Sequence, residues 1–354
     1  MHFAFADQQI EFRDTVRQVL ARECTTDDLR AAFAAPAART DRWATLAELG
    51  VVGLSVPEAH GGLGLGLLDL VLLLEEAGRV ALPEPLVATS ALATPLLADL
   101  EGAEPGGAAR VRSWLEQIAD GSITAAVGPP GSPGPVAGAV GADLLVLTTP
   151  GPEGGPEIHL VNAGAAEVTP IASLDPTRRL GAVTWEPTAG TRAASGSRAA
   201  ATILATADRA AVATAAELLG VTDRMITMAA DYAKERRQFG QPIGAFQAVK
   251  HLLAGARVKL EFARPVVYGA AWALDEGTPA ASRAASTAKA CASDAAVEAA
   301  RVSLQVHGAI GYTWECDLHL FLKRAWALSE AWGSAAEHRR RVLASLLTSL
   351  PASA

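Results

Sequence analysis

Two segments in the C-terminal half of the chain carry residue types suited to gripping an anionic, aromatic ligand. The first contains Arg236 and Arg237, followed by Gln238, Phe239 and Gly240. An arginine can hold a pyrophosphate through paired hydrogen bonds, and a phenylalanine ring offers its face to a purine. The residues by themselves equally allow a solvated turn, because cations near a helix C-terminus suit the negative end of its dipole.

The second segment covers residues 305–311, where Gly308 and Gly311 interrupt a helical pattern that includes Gln305. Glycines let a backbone approach a ligand closely and leave N–H groups available there. An ordinary helix–turn–helix connection is the alternative interpretation. We expect no metal site, because His307 and His319 lack carboxylate or cysteine neighbours at ligand spacing.

Length and composition predict a folded, multi-module protein. The 354 residues are 50% hydrophobic and 19% charged, which is enough for two or three packed modules. A net charge of −8 argues against a nucleic-acid surface, so local cations must hold any anionic nucleotide. Three scattered cysteines predict reduced thiols and a cytoplasmic protein. With neither a basic N-terminal region nor an apolar run of ~18 residues, we expect no signal peptide and no membrane span.

The order of patterns along the chain predicts a mainly α fold with a small β module. Helical spacing dominates residues 1–120 and 200–354, whereas residues 121–190 hold short β-type runs between turns rich in glycine and proline. These three ranges are the predicted domains, with residues 188–199 as a connector and the sheet antiparallel. The four expected strands cover residues 123–127, 144–148, 158–161 and 182–185.

A glycine-rich stretch at residues 61–66 is the one apparent phosphate cradle in the N-terminal half. A dinucleotide fingerprint needs a strand directly before it, and here Pro57 and a turn intervene. We therefore expect a tight loop between helices, with His60 in a structural role.

Taken together, the C-terminal motifs closely resemble the flavin-binding signatures of the acyl-CoA dehydrogenase family. Arg-x-x-Phe-Gly stands at 236–240, Phe-Gln at 246–247, Gln-x-x-Gly-x-x-Gly-Tyr at 305–312 and a basic pair at 323–324. The variant Gly-Tyr-Thr-Trp-Glu-Cys-Asp-Leu-His at 311–319 is similar to the actinobacterial branch that handles bulky acyl-CoAs, including steroid side chains. The resemblance implies an N-terminal helical domain, a middle β domain, here shortened, and a C-terminal four-helix bundle.

The resemblance also implies a reaction. Such enzymes use FAD to remove the α and β hydrogens of an acyl-CoA thioester: a carboxylate takes the proton, the flavin takes the hydride, and an electron-transfer flavoprotein or similar acceptor takes the electrons. By analogy, this chain would contact the ADP half of an FAD across a subunit interface. The implied contact residues are Arg236, Gln238, Phe239, Phe246, Gln247, Gln305, Gly308 and Ala309.

The chain departs from the family at the catalytic base. Trp332 stands where one branch carries its glutamate, and Ala210 stands where a second branch does. Glu330, Glu217 and Asp208 are near in sequence, but helical geometry is expected to direct them elsewhere. We therefore expect no catalytic residue in this chain.

The middle module departs as well. Val-Gly-Pro-Pro-Gly at 127–131 replaces the family's Thr-Glu-Pro-x-x-Gly-Ser segment, and its tryptophan-containing flavin strand is not evident. Both departures favour a subunit that pairs with an intact paralogous acyl-CoA dehydrogenase in a hetero-oligomer. Two alternatives stay open: a self-sufficient dehydrogenase with a displaced base, and a non-enzymatic scaffold that holds no productive flavin.

Overall fold

The computed structural model describes residues 4–36, 40–102, 108–131, 134–151 and 154–349, and the fold is mainly α with a small β module, as predicted. The described residues fall into two compact units. One comprises the chain up to Arg30, Val71–Leu82 and everything from Ala211 onward. The other comprises Ala31–Leu70 and Pro83–Ala210.

The N-terminal third is helical, as the periodicity predicted. Residues 61–66 connect a short 3-10 turn, Glu58–His60, to the next helix, so the glycine-rich stretch is the expected tight loop. A π-helical segment, Val87–Ala93, runs directly into the helix after it. The helices are α1 (Asp7–Glu23), α2 (Thr26–Ala34), α3 (Asp41–Glu48), α4 (Leu67–Arg79), α5 (Thr94–Leu100) and α6 (Ala108–Ala119).

The β module contains a four-stranded sheet and a separate two-stranded pair. The strands are β1 (Ala125–Val127), β2 (Leu144–Pro150), β3 (Pro156–Asn162), β4 (Glu167–Pro170), β5 (Gly181–Thr184) and β6 (Arg192–Ser195). The order in the sheet is β1-β2-β3-β6, and the pair is β4-β5. β1 runs parallel to β2, so the prediction of a purely antiparallel sheet was wrong for this pair. Ala126, Leu145, Leu147 and Val161 form part of its buried core.

The strand β6 lies inside the stretch predicted to be a connector. Its residues, Arg-Ala-Ala-Ser, have low β propensity, so they gave no strand signal. These residues pair antiparallel with β3, from Glu157 opposite Ser195 to His159 opposite Arg192. The pairing supplies backbone hydrogen bonds that could not be predicted from the local sequence.

The C-terminal half consists of long helices and one short hairpin. Many of the buried residues of the helix Ala281–His307 are alanines, and such small side chains let neighbouring helices approach closely. The elements are α7 (Gly196–Glu235), β7 (Arg237–Gln238), β8 (Gln241–Pro242), α8 (Gln247–Asp275), α9 (Ala281–His307), α10 (Leu318–Glu330) and α11 (Ala335–Ser349).

Within the first unit, α4 and α7 cross with their backbones in direct contact. A Cβ placed on Gly220 would lie 2.5 Å from the Arg79 nitrogen and closer still to the Glu75 carbonyl oxygen. A Cβ on Gly78 would likewise lie 2.8 Å from the Glu217 carbonyl carbon. Both positions therefore exclude any side chain.

Charged side chains surround this crossing and pair with one another. Arg264 Nε donates to Glu75 at 3.1 Å, and Arg17 Nη2 donates to Glu76 at 2.6 Å. The Tyr268 hydroxyl also donates to Glu75, and burial together with that carboxylate raises the pKa of the tyrosine. The two buried glutamates are thus neutralised by partners that fix the neighbouring helices.

Candidate cofactor-binding site

The first predicted segment forms a tight hairpin after α7. β7 and β8 are joined by the two-residue turn Phe239-Gly240, whose φ angles are +51° and +81°. Two left-handed residues in a two-residue loop match the type I′ turn of β-hairpins. A phenylalanine is strained at positive φ, and its side chain is 92% exposed. An exposed aromatic ring held in a strained conformation is typical of a ligand-contacting position.

The hairpin leads straight into the N-terminus of α8. Phe246 occupies the N-cap position and packs edge-to-face against Phe239, with ring centroids 6.2 Å apart. Its side chain cannot accept a hydrogen bond, so the first N–H groups of α8, beginning at Gln247, stay available to an anion. Arg236 and Gln238 are exposed on the same hairpin. The segment therefore combines cations, helix N–H groups and two rings.

A stacked pair of rings brings the two predicted segments together. Tyr232, near the end of α7, stacks on His307, the last residue of α9, with centroids 4.5 Å apart and planes 17° from parallel. The His307 Nδ1–H donates to the Ser303 carbonyl at 2.8 Å. Burial lowers the pKa of His307, so the stacked ring is neutral. Sequence reasoning missed this pair, since a tyrosine and a histidine at helix ends carry no motif.

The second segment continues from His307 into a 3-10 turn, Gly308–Tyr312. Gly308 has φ 64° and ψ −142°, a conformation that side chains with a Cβ rarely adopt. Gln305, Gly308 and Ala309 are exposed. Gly311 is buried, and a Cβ there would lie 3.0 Å from the Leu304 side chain. The backbone of residues 308 and 309 is thus open to a ligand.

The basic pair that follows divides between two tasks. Lys323 lies over the Trp314 ring, with its Nζ 4.1 Å from the centroid. Arg324 is 3% exposed and donates from Nη1 to the Leu82 carbonyl at 3.0 Å. Both side chains are therefore engaged in contacts within the protein rather than presented as free cations.

Trp332, which stands at the first of the two predicted base positions, has an unusual backbone conformation. Trp332 has φ +58° and is followed by Gly333 at +106°. The His338 Nε2–H donates to the Trp332 carbonyl at 3.0 Å, and Lys289, fully buried, donates to the carbonyls of Gly333 at 3.0 Å and Ser329 at 2.9 Å. Two buried polar side chains thus hold the turn on which the tryptophan stands.

The residue at the second predicted base position is buried, and the neighbouring carboxylates differ in exposure. Ala210 is fully buried in α7. Asp208, two residues earlier, is 4% exposed, Glu217 is half-buried and Glu330 is exposed at the end of α10. The expectation that none of them acts as the base stays a prediction.

The segment that would meet a flavin ring offers little hydrogen bonding. Residues 127–131 contain no hydroxyl or amide side chain, and Pro129 and Pro130 have no N–H to donate. Gly128 and Pro129 line a cavity of about 190 Å³ with Leu147 and Trp185. In contrast, the hairpin presents exposed cations and an aromatic ring, and the 308–309 backbone is exposed.

Among the described residues there is neither a cluster of metal-ligand type nor a helix suited to a membrane. Within the described ranges, no group of three or more His, Cys, Asp or Glu residues is arranged to hold a metal ion. In the same part of the chain, no helix combines the length and the apolar character needed to cross a bilayer.

Comparison with known proteins gives two family matches and a full-length relative. The model of the acyl-CoA dehydrogenase N-terminal domain matches residues 6–122, and that of the C-terminal domain matches residues 198–347. The acyl-CoA dehydrogenase IpdE2 of Mycobacterium tuberculosis is 35% identical over 332 residues, covering 93% of this chain and 94% of that protein.

Solved structures extend the likeness across the β module. A variant of the Tcur3481–Tcur3483 steroid ACAD has a TM-score of 0.82 and 30% identity, covering 97% of this chain and 99% of that one. The ChsE4–ChsE5 complex from Mycobacterium tuberculosis has a TM-score of 0.87, covering 99% and 100% of the two chains. At 23% identity it shows the fold alone.

Proposed function

Because the chain belongs to the acyl-CoA dehydrogenase family of flavoprotein oxidoreductases, we propose that it is a subunit of a hetero-oligomeric acyl-CoA dehydrogenase that binds the ADP half of FAD and leaves proton abstraction to a paralogous partner. The contrast between two regions of one chain carries this proposal. The exposed hairpin and the 308–309 backbone fit an ADP group, whereas Trp332 and Ala210 occupy the two base positions.

Each residue of the proposed site has a stated task. Arg236 pairs with the pyrophosphate, and the first N–H groups of α8 add partial positive charge to it. Phe239 offers its ring face to the adenine, while Phe246 fixes that ring from the side. Gly308 lets the backbone approach the cofactor. When bound, the flavin supplies the hydride acceptor for α,β-dehydrogenation of an acyl-CoA.

The partner would supply what this chain lacks. A carboxylate on the paralogous subunit takes the α-proton, and its intact ring pocket orients the flavin against the thioester. The 30% identity to a steroid ACAD supports a bulky acyl group, and the two-component name of that enzyme, Tcur3481–Tcur3483, supports unequal subunits. An electron-transfer flavoprotein or similar acceptor would reoxidise the flavin, in the cytoplasm.

The predicted division of the chain, 1–120, 121–190 and 200–354, is also part of the proposal. Its support is the placement of the two family models, which match residues 6–122 and 198–347 and leave the β module between them.

The deciding experiment measures FAD in the purified chain alone and after co-expression with a paralogous acyl-CoA dehydrogenase subunit. We expect little flavin in the chain alone and stoichiometric flavin in the complex, bleached by bulky acyl-CoAs more readily than by short ones. Stoichiometric flavin that bleaches in the chain alone would overturn the division of labour.

Arg236→Ala tests the cofactor assignment directly. Loss of a charge-assisted hydrogen bond to the pyrophosphate should weaken FAD retention by about 10- to 100-fold. The control is Arg22→Ala, an exposed arginine whose only described ion pair is with its neighbour Glu23. Retention equal to wild type in the Arg236 variant would count against the site.

One observation favours the self-sufficient alternative: Asp208 is a buried carboxylate two residues from Ala210. If it acts as a displaced base, Asp208→Ala should lower turnover by roughly 10²–10⁴-fold, the usual scale for general-base catalysis. Unchanged turnover would exclude Asp208 from that role.

A further inference from the structure

We infer that Arg30, in α2, is a positioning residue that orders the 308–317 loop for cofactor binding. The inference rests on the proposed function, in which residues 308 and 309 at the start of that loop contact the cofactor. It assigns a role to a residue of the N-terminal helices, which lies far from both signature segments in sequence.

One guanidinium binds three acceptors within four consecutive residues. Arg30 Nη1 donates to the Trp314 carbonyl at 2.7 Å, Nη2 to the Glu315 carbonyl at 3.4 Å and Nε to Asp317 Oδ1 at 2.6 Å. The planar fork of an arginine suits such an arrangement, because its five N–H groups point in fixed directions. The contact spans 287 residues of sequence.

Burial contributes little to holding the shape of this loop. Among residues 308–315, Gly311 is buried and the other seven are exposed. Ile310, Tyr312 and Trp314 are large apolar side chains that are 39%, 77% and 67% exposed, so burial of apolar area contributes little to their order. Thr313 binds the Ile310 carbonyl through its N–H at 3.0 Å and its hydroxyl at 2.9 Å, which orders a single turn.

Asp317 gives independent support for the role of Arg30. It occupies the N-cap position of α10, where an aspartate usually accepts a hydrogen bond from the first turn of the helix. Here its side chain makes no cap hydrogen bond and instead accepts from Arg30. The carboxylate that would stabilise α10 is thus committed to fixing the loop.

The helix that carries Arg30 is itself well anchored at its start. The Thr25 N–H donates to Asp28 at 2.8 Å, and the Asp28 N–H donates to the Thr25 hydroxyl at 3.3 Å, a reciprocal cap. The guanidinium therefore projects from the second turn of a helix whose start is fixed by hydrogen bonds.

The side chain of Trp314 is fixed as well as its carbonyl. Lys323 lies over one side of the indole at 4.1 Å, and the His319 ring meets it edge-on with centroids 4.4 Å apart. Burial, with the nearby charges of Lys323 and Arg30, lowers the pKa of His319 and keeps that ring neutral. With residues 314–317 held, the preceding 308–312 turn is restricted at both ends, which reduces the ordering entropy of ligand binding.

The first test measures amide hydrogen exchange of residues 308–317 in the full-length chain. Arg30→Ala should speed exchange in this loop by about 10- to 100-fold, the scale of one or two lost charge-assisted hydrogen bonds. Arg30→Lys, which keeps the charge but not the fork, should give an intermediate value. The control Arg22→Ala should leave the loop unchanged. Wild-type exchange in Arg30→Ala would overturn the inference.

The second test measures FAD retention in whichever form holds the flavin, the chain alone or its complex. We expect Arg30→Ala to weaken retention by about 10-fold, with partial rescue in Arg30→Lys. If Arg236→Ala loses flavin but Arg30→Ala does not, the positioning role is wrong and the proposed function stands. If Arg236→Ala keeps all of its flavin, the proposed function itself fails, whatever the exchange rates of the loop.

Discussion

The crossing of α4 and α7 gives a sharp prediction for Gly220→Ala. The added Cβ would lie 2.5 Å from the Arg79 nitrogen and 2.9 Å from the Glu75 carbonyl carbon. Real Cβ contacts are not found under 3.0 Å. These atoms belong to a helix backbone, so no side-chain rotation relieves the overlap. The two helices must therefore separate, and this separation would disturb the ion pairs that Glu75 and Glu76 make beside the crossing.

The expected magnitude follows from two opposing terms. Overpacking of a core typically costs about 1–3 kcal/mol and more where backbone is displaced. Alanine gains about 1 kcal/mol over glycine in a helix interior. We expect Gly220→Ala to lower the free energy of unfolding by about 2 kcal/mol. At ~2 cal/mol/K of unfolding entropy per residue, that lowers the melting temperature of a chain of 354 residues by about 3 °C.

Gly255→Ala is the matched control, because this glycine also lies in a helix, α8, and a Cβ there would meet nothing within 4 Å. The control should raise stability by up to about 1 kcal/mol. Both variants are compared by urea midpoint and by calorimetry. Equal stability of Gly220→Ala and wild type would refute the close backbone contact, and so would equal gains in both variants.

Two further variants test other parts of the first unit. Lys289→Met should lower the urea midpoint by the equivalent of about 1–3 kcal/mol, because the buried carbonyls of Ser329 and Gly333 lose their donor; an unchanged midpoint would contradict this. The pKa of His307 lies below its ordinary 6.5 because of burial, so its contribution to stability is complete above about pH 6.5 and is lost as the pH falls through the lower folded value. In His307→Phe, which keeps a ring on Tyr232, the fall in urea midpoint between pH 7.5 and 5.5 should be smaller than in wild type.

Local sequence was sufficient for the order of elements and insufficient for the contacts that fix the site. Helical periodicity and glycine/proline turns predicted helices, sheet and helices, because both signals are short-range. β6 was not predicted, because Arg192–Ser195 forms a strand by pairing with the edge of β3. Whether a segment of alanines and serines pairs with such an edge depends on tertiary structure.

In the candidate site too, the contacts between distant residues could not be predicted from local sequence. The motif singled out Arg236 and Phe239 as cofactor contacts, and both are exposed, while the contact itself stays a prediction. The left-handed backbone of Trp332 had no sequence signal, since that conformation is enforced by Lys289 and His338 from other helices. The contact of Arg30 with Asp317 was equally invisible, because nothing local links residues 287 positions apart.

The strained turn at Phe239 sets stability and binding against each other. A side chain at φ +51° raises the energy of the hairpin by roughly 1–2 kcal/mol relative to glycine, which adopts that conformation freely. A laboratory selection for heat tolerance alone would therefore favour Phe239→Gly or Phe239→Asn. The same selection would discard the ring proposed to face the adenine. Any thermostabilised form of this protein needs a cofactor-dependent screen to keep that position aromatic.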